Sequence, residues 1–206
     1  MEKVFEGGLF PTEEISSAQG IIANVSSYNY HDLDLDLKER LLLSKKNILV
    51  MLDNITDVGN FGAILRNCSA FGVDGVIISK NRSVEVSQRV SKISAGALEE
   101  IKVYNVTNII NTIQKLKRHD FWIYGTSLGQ NAEIKPADSL DYFFPLAVVF
   151  GSEGKGIGKL VEQNCDFLVK IEMPGSMQSL NVSTSSGIML YLINNCRKRK
   201  GSDPGK

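Results

Sequence analysis

Five polar residues in three separate stretches have the types and spacing to do chemistry. Asn60 and Arg66 lie in LDNITDVGNFGAILRNC (52–68), Glu153 in VVFGSEGKGIGK (148–159), and Ser179 and Asn181 in EMPGSMQSLNVSTSSGIMLYLI (172–193). An arginine at position 66 offers a planar fork that can grip a phosphate or another oxyanion; it also reads as a solvated helix residue. Asn60 and Asn181 each sit where a helix begins, so each reads as an N-cap as readily as a ligand contact. Glu153 sits inside a glycine-rich turn that could be mistaken for a phosphate loop. It occupies the place where a Walker A motif needs its first glycine, and Leu160 stands where that motif needs Ser or Thr. The run GKGIG also misses the G-x-G-x-x-G spacing by one residue. A carboxylate repels phosphate, so Glu153 suits a cationic ligand or a partner arginine better. A fourth loop, YGTSLGQ, brings Gly125, Thr126 and Leu128 toward the same crevice.

These loops need elements to hold them. From Asn47 onward, short apolar runs alternate with stretches of helical period. NILVMLD, VDGVIIS, IKVYNV, FWIYGTS, PLAVVFG and DFLVKIEM read as strands. NFGAILRNCSA, closed by Gly72, reads as a helix, as do TNIINTIQKLKRHD, IGKLVEQNC and NVSTSSGIMLYLINNC; SVEVSQRVSKISAGALEE reads as one mixed helical stretch. Val182, Ser185, Met189, Leu192 and Cys196 fall on one stripe of the last helix. Gly62 leaves room for a close neighbour. The pattern specifies an α/β fold with a mainly parallel sheet and helices on both faces. In such sheets ligands bind at the carboxyl ends of the strands, where all four loops lie.

The division expected is an N-terminal arm over residues 1–46, one domain over 47–196, and a disordered basic tail over 197–206. In the arm, QGIIANVSSYNY alternates like a strand and DLDLDLKERLLLSKK is helical near its end, too short a piece to bury a core of its own. The 206 residues suit one ordinary domain, and 43% apolar content is enough for a sizeable core. Lys and Arg total 23 and Asp and Glu 23, so no overall field points to nucleic acid or a membrane, though a local basic patch is compatible. KLKRH (115–119) and RKRK (197–200) are the local candidates for contact with an RNA backbone, and both read equally as solvated runs. There is no apolar run of membrane-span length and no secretory signal pattern. Cys68, Cys165 and Cys196 are odd in number and far apart, which suits buried thiols in a reducing cytosol rather than a disulfide framework or a zinc site.

Three ordered motifs, NITDVGNFGAILRNCSAFGVDGVIIS, AVVFGSEGKGI and MPGSMQSLNVSTSSGIMLYLI, together resemble the SpoU (TrmH-like) RNA 2'-O-ribose methyltransferases of the SPOUT superfamily, over about residues 47–195. The resemblance implies S-adenosylmethionine as methyl donor, a ribose 2'-hydroxyl in ribosomal or transfer RNA as acceptor, no metal, and a cytoplasmic homodimer. It also implies a C-terminal trefoil knot, which nothing in the periodicity indicates. By the same resemblance Arg66, Asn60, Glu153, Ser179 and Asn181 are the catalytic set, with Arg66 central to activating the 2'-hydroxyl. A guanidinium is a poor base, so Arg66 is expected to stabilise the developing alkoxide or hold the adjacent phosphate, with Glu153 and Asn181 fixing its geometry. Gly125, Thr126, Leu128, Gly151, Ile171 and Leu180 form the cofactor cradle. Glu172 departs from the family's usual Ile-Pro-Met opening of the third motif. SAQGIIANV resembles the end of an L30e-like RNA-binding domain or its linker. Two rival readings remain: a Rossmann-type NAD(P) oxidoreductase using VVFGSEGKGIG as its dinucleotide loop, and a non-catalytic RNA-binding module that kept the fold.

Overall fold

A computed structural model describes residues 28–81, 83–129, 134–177 and 179–200. Seven strands form one sheet in the order β3-β2-β1-β6-β4-β7-β5, every neighbouring pair parallel. They are β1 (Ile48–Asp53), β2 (Gly75–Ser79), β3 (Val103–Val106), β4 (Trp122–Thr126), β5 (Ile134–Pro136), β6 (Leu146–Gly151) and β7 (Phe167–Lys170). The helices are α1 (Leu33–Asp36), α2 (Val58–Ala70), α3 (Gln88–Ser94), α4 (Ala97–Glu100), α5 (Ile109–Arg118), α6 (Lys159–Gln163) and α7 (Val182–Arg199).

The central strands β1 and β6 are buried at every position, which is why they read as unbroken apolar runs rather than alternating ones. Their side chains alternate between two cores. Ile48, Val50 and Leu52 face α2 and α7, packing with Phe61, Ile64, Leu65, Met189 and Ile193. Leu49 and Met51 face the other side, with Leu33, Leu37, Leu41 and the α5 residues Ile113 and Leu116. Helices therefore cover both faces, as the alternation specifies.

Several boundaries differ from the expectation, each for a physical reason. The stretch 88–100 breaks into α3 and α4 because Ala95 (φ 51°) and Gly96 (φ 89°) both turn left-handed, which ends a helix. Strand β5 has three residues and ends on Pro136, too short to leave a period in the sequence. Gly72 follows α2 at φ 62°, the left-handed stop read from the sequence. Gly62 packs where an added Cβ would lie 2.5 Å from Ile93 Cγ2.

The segment preceding β1 is part of this body from residue 28 on. Leu33, Leu37 and Leu41 are buried in the second core, and His31 makes a parallel bridge with Tyr104 at the β3 edge. Asp36 is buried and accepts from Lys102 Nζ at 2.7 Å and from Tyr104 Oη at 2.7 Å. Asn47 closes the junction by donating to the Ser44 carbonyl at 2.9 Å and to the Leu41 carbonyl. The strand expected over QGIIANVSSYNY lies outside the described residues except at 28–30, which are not in a strand. At the other end α7 continues past residue 196 to Arg199. Arg197 donates to the carbonyls of Phe71 and Gly72 at 3.0 Å, so residues 197–200 are docked rather than a loose tail.

The buried thiols and phenols make stability pH-dependent. Burial pushes the Cys165 thiol and the Tyr124 hydroxyl each up to about 12, and raises Cys68, Cys196 and Tyr142 as well. Each group keeps its proton in the folded chain at a pH where the unfolded chain has lost it. Above about pH 9 the unfolded state therefore binds fewer protons, and stability falls as pH rises through the window from 9 to 12. Urea midpoints should be level from pH 7 to 8 and drop by pH 10.5. A midpoint unchanged at pH 10.5 would contradict this assignment.

Candidate active site

At the carboxyl ends of β4, β6 and β7 a crevice opens beside the first turns of α7. Phe150, Val169, Ile171, Leu180, Val182 and Met189 give it apolar walls. Thr126, Ser127, Ser152, Glu153, Ser179 and Ser185 supply its polar groups. A mostly apolar concavity with a few convergent polar groups is the usual form of a small-ligand site. All the expected cradle residues line it except Gly125, which lies directly behind. An added Cβ at Gly125 would come within 2.7 Å of Cys165 Sγ and of Ile157 Cδ1, so this glycine serves packing under the loop. Thr126 spends its hydroxyl on the Val149 carbonyl at 3.0 Å, which joins β4 to β6, and Leu128 is half exposed at the rim.

The turn after β6 folds back on its own strand. Gly156 N–H donates to the Ser152 carbonyl at 2.9 Å, and Gly154 (φ 77°) and Gly156 (φ 66°) take left-handed conformations. The turn is pinned at its far end by Asp53, whose Oδ2 accepts the Gly158 N–H at 2.7 Å. Asp53 was not among the residues singled out from the sequence. A carboxylate at the carboxyl end of a fully buried strand was the signal available, because such a charge needs donors.

Asn60, Glu153 and Asn181 meet at the mouth of this crevice. Asn60 Nδ2 donates to Glu153 Oε1 at 3.0 Å, Asn181 Nδ2 donates to the same oxygen at 2.5 Å, and to Asn60 Oδ1 at 2.9 Å. Three stretches far apart in sequence, the first turn of α2, the turn after β6 and the cap of α7, are thus closed into a triangle. Asn181 also caps α7 with its remaining oxygen, which accepts from Ser183 N at 2.8 Å and Thr184 N at 3.4 Å. Capping and site building are one role here, because the amide has an acceptor for the helix and a donor for Glu153. Asn60, by contrast, is not the cap of α2. That helix starts earlier at Val58, and its cap is Asp57, whose Oδ1 accepts the Asn60 N–H at 2.7 Å. Relieved of capping, the Asn60 side chain is free to join the triangle.

Two expectations about charge change. Glu153 is held by amide donors, not by a cation, and its second oxygen has no hydrogen bond among the described residues. Arg66 is exposed on the third turn of α2, with no ion pair or hydrogen bond among the described residues. Asn60 and Asn67 lie on the helix face toward α7, where Asn67 Nδ2 donates to the Ser183 carbonyl at 2.8 Å. Position 66 is turned roughly 110° from that face. Glu153 and Asn181 therefore fix each other and Asn60, and not Arg66, within one chain. Ser179 lines the crevice beside Leu180, and Glu172 is exposed outside it. Among the described residues no group of three or more His, Cys, Asp or Glu could hold a metal ion, and no helix is long and apolar enough to cross a membrane.

The triangle has a test that leaves the helix cap intact. Asn181→Asp keeps an oxygen for Ser183 and Thr184, but places a second carboxylate against Glu153. We expect a loss of about 1 kcal/mol of stability, because Glu153 then loses a donor and gains a like charge. Thermal melts read this, and an unchanged melting temperature would contradict the triangle.

The turn's glycine spacing and the packing of Gly156 against the end of β6 do not support the dinucleotide-loop reading. Comparison with known proteins points elsewhere. The sequence model of the SpoU rRNA Methylase family matches residues 47–191. A Staphylococcus saprophyticus protein assigned to the TrmH tRNA/rRNA methyltransferase family is 41% identical over 178 residues, covering 86% of this chain and 70% of that one. A Bacillus subtilis relative with the same assignment is 38% identical over 175 residues, covering 85% and 69%. Among solved structures, the Aquifex aeolicus (A. aeolicus) TrmH/SpoU tRNA modifying enzyme is 30% identical with a TM-score of 0.69, covering 82% of this chain and 86% of that one. A TrmH-family RNA methyltransferase structure from Porphyromonas gingivalis is 28% identical with a TM-score of 0.65, covering 73% of this chain and 60% of that one. The Streptomyces viridochromogenes SpoU methyltransferase AviRb, solved in complex with AdoMet, shares the fold at 23% identity and a TM-score of 0.71, with 84% and 67% covered. With a family match over most of its length and relatives this similar, the chain belongs to the SpoU rRNA Methylase family.

Proposed function

We propose that this chain transfers a methyl group from S-adenosylmethionine to the 2'-hydroxyl of a ribose in ribosomal or transfer RNA. The observation that carries the reading is the Asn60–Glu153–Asn181 triangle at the mouth of a glycine-backed, mostly apolar crevice. The AdoMet complex of AviRb and the tRNA-modifying description of the Aquifex relative support donor and substrate class.

When bound, S-adenosylmethionine supplies a methyl group already activated on a sulfonium, so the S–C electron pair stays on sulfur as the O–C bond forms. The chain's own residues have three tasks. The crevice walls hold the donor's flat apolar parts, which excludes water. Glu153, the carboxylate at the mouth, favours a positive centre nearby and offers its unbonded oxygen to the 2'-hydroxyl proton. Asn60 and Asn181 fix that carboxylate, so the acceptor oxygen is positioned in line rather than searching for alignment. A guanidinium is a poor base, so the role of Arg66 is to hold the phosphate next to the acceptor ribose or to stabilise the developing alkoxide. Ser179 and the backbone around Gly151, Ile171 and Leu180 border the donor. No metal is required.

A homodimer, a C-terminal trefoil knot and a cytoplasmic location belong to the same proposal. The exposed apolar stripe of α7, with Ile188 36% and Tyr191 54% exposed, supports the dimer.

Incubation with methyl-labelled donor and bulk ribosomal and transfer RNA tests the function. Label should enter RNA and, after alkali, remain in undigested dinucleotides, because a methylated 2'-oxygen cannot attack the adjacent phosphate. Label released on a base would overturn the ribose assignment. RNA binding without any transfer would favour the non-catalytic module.

A further inference from the structure

An aromatic cluster lies open at the amino ends of the strands, the edge opposite the crevice. Trp122 starts β4, Phe167 starts β7, and Phe143 lies in the segment leading to β6. Ring centroids are 5.2 Å apart for Trp122–Phe143, 5.9 Å for Trp122–Phe167 and 6.1 Å for Phe143–Phe167. Trp122 is 40% exposed and Phe143 45%. Beneath them Tyr124 and Tyr142 are buried, and Tyr124 stacks on Phe167 at 5.0 Å, so the outer rings rest on a fixed layer. Large rings left together in water forgo the stabilisation of burial, and such a patch marks a contact surface.

The rim of the patch says what would cover it. Lys135 Nζ stands 5.4 Å from the Phe167 centroid and Lys200 Nζ 5.2 Å from the Phe143 centroid. Lys46 Nζ donates to the Lys200 carbonyl at 3.0 Å, and Arg199 is the preceding residue on α7. Against these four cations stand Asp141, paired with Lys200 at 3.1 Å, Asp138 on the neighbouring turn, and Asp166 beside Phe167, which is itself matched by a fifth cation, Lys117, at 2.7 Å. Flat rings flanked by an excess of ammonium groups match a polyanion that carries flat bases.

We propose that Trp122 and Phe143 form a stacking platform for unpaired bases of the RNA substrate, with Lys46, Lys135 and Lys200 along its phosphates. This rests on the RNA-methyltransferase reading and deepens it. The platform lies at the far end of the strands from the methyl-donor crevice, so it anchors the RNA and takes no part in transfer. It also gives the RKRK run a place: its last residues are held beside the platform by Lys46 and Asp141.

Trp122 is the only tryptophan in the chain, so its emission reports on the platform alone. Full-length protein would be titrated with single-stranded oligouridylate and with bulk transfer and ribosomal RNA. Emission should be quenched saturably and recover as salt is raised. Trp122→Ala should weaken RNA binding at least ten-fold and raise KM for RNA, with kcat within two-fold and donor affinity unchanged. Phe143→Leu keeps an apolar side chain without a flat face, and should show the same split in a protein of unaltered melting behaviour. RNA that binds without changing the emission, with both variants at normal affinity, would overturn the platform while leaving the methyltransferase standing. Wild-type protein that neither binds nor methylates RNA would sink both. Emission that shifts with protein concentration in the absence of RNA would identify the patch as an interface between copies and overturn the proposal.

Discussion

Replacing Gly151 with alanine is expected to abolish donor binding. A Cβ there would lie 2.0 Å from the carbonyl carbon of Gly156 and 2.2 Å from both the Gly156 oxygen and the Ile157 nitrogen. These are backbone atoms, so no side chain can swing aside. The turn from Ser152 to Ile157 would have to move by about 1 Å or more to restore ordinary contact, and Glu153 rides on it. Overpacking of this kind costs about 1–3 kcal/mol, and melting should fall on the order of 5 °C. Donor affinity measured by calorimetry should fall more than about 100-fold, since the turn forms the crevice wall and holds one corner of the triangle. Gly154→Ala is the control: nothing lies within 4 Å of its Cβ, and only its φ of 77° opposes the change. That variant should lose about 1 kcal/mol of stability and keep affinity within ten-fold. Normal affinity in Gly151→Ala would mean the closed turn is not the donor wall.

The second large effect belongs to Arg66. Its side chain is exposed and carries no partner within the described chain, so Arg66→Ala should leave stability within about 0.5 kcal/mol and donor affinity unchanged. Turnover should nevertheless fall about 100-fold or more, the scale expected when a group that meets developing charge is removed. Arg66→Lys should not restore it, because an ammonium lacks the planar fork. A single-turnover assay with saturating donor separates this from weak binding. Near-normal turnover in Arg66→Ala would remove it from the catalytic set and confine the chemistry to the triangle.

Much of the fold was legible because burial on both faces writes itself into composition. A strand such as ILVMLD, with no exposed position, has little choice but to be apolar throughout, and the loops that follow such strands are found by default. Strand β5 escaped because three residues ending in proline carry no period. The start of α2 was misplaced by three residues because Asp57 and Asn60 are both good caps and only the backbone decides between them. Residues that line the crevice or meet at its mouth were legible one by one; their partnerships were not. Sequence brought Asn60, Glu153 and Asn181 into consideration separately, but that one carboxylate oxygen accepts from both amides depends on how three stretches converge. Asp53 shows the same limit from the other side. It reads as the polar end of a strand, and its hold on Gly158, 105 residues later, exists only once β1 and β6 are neighbours.

Helix α7 runs unbroken from its cap at Asn181 to its end beside Phe143. Its 18 residues span about 27 Å of rigid rod. One end is tied into the candidate active site and the other into the aromatic patch, so on the proposed reading the helix acts as a ruler. An RNA that satisfied both ends would have to present its target ribose and a loose base at that fixed separation. Selection among RNAs would then come from measuring distance across a folded shape, with no base pair read along the way.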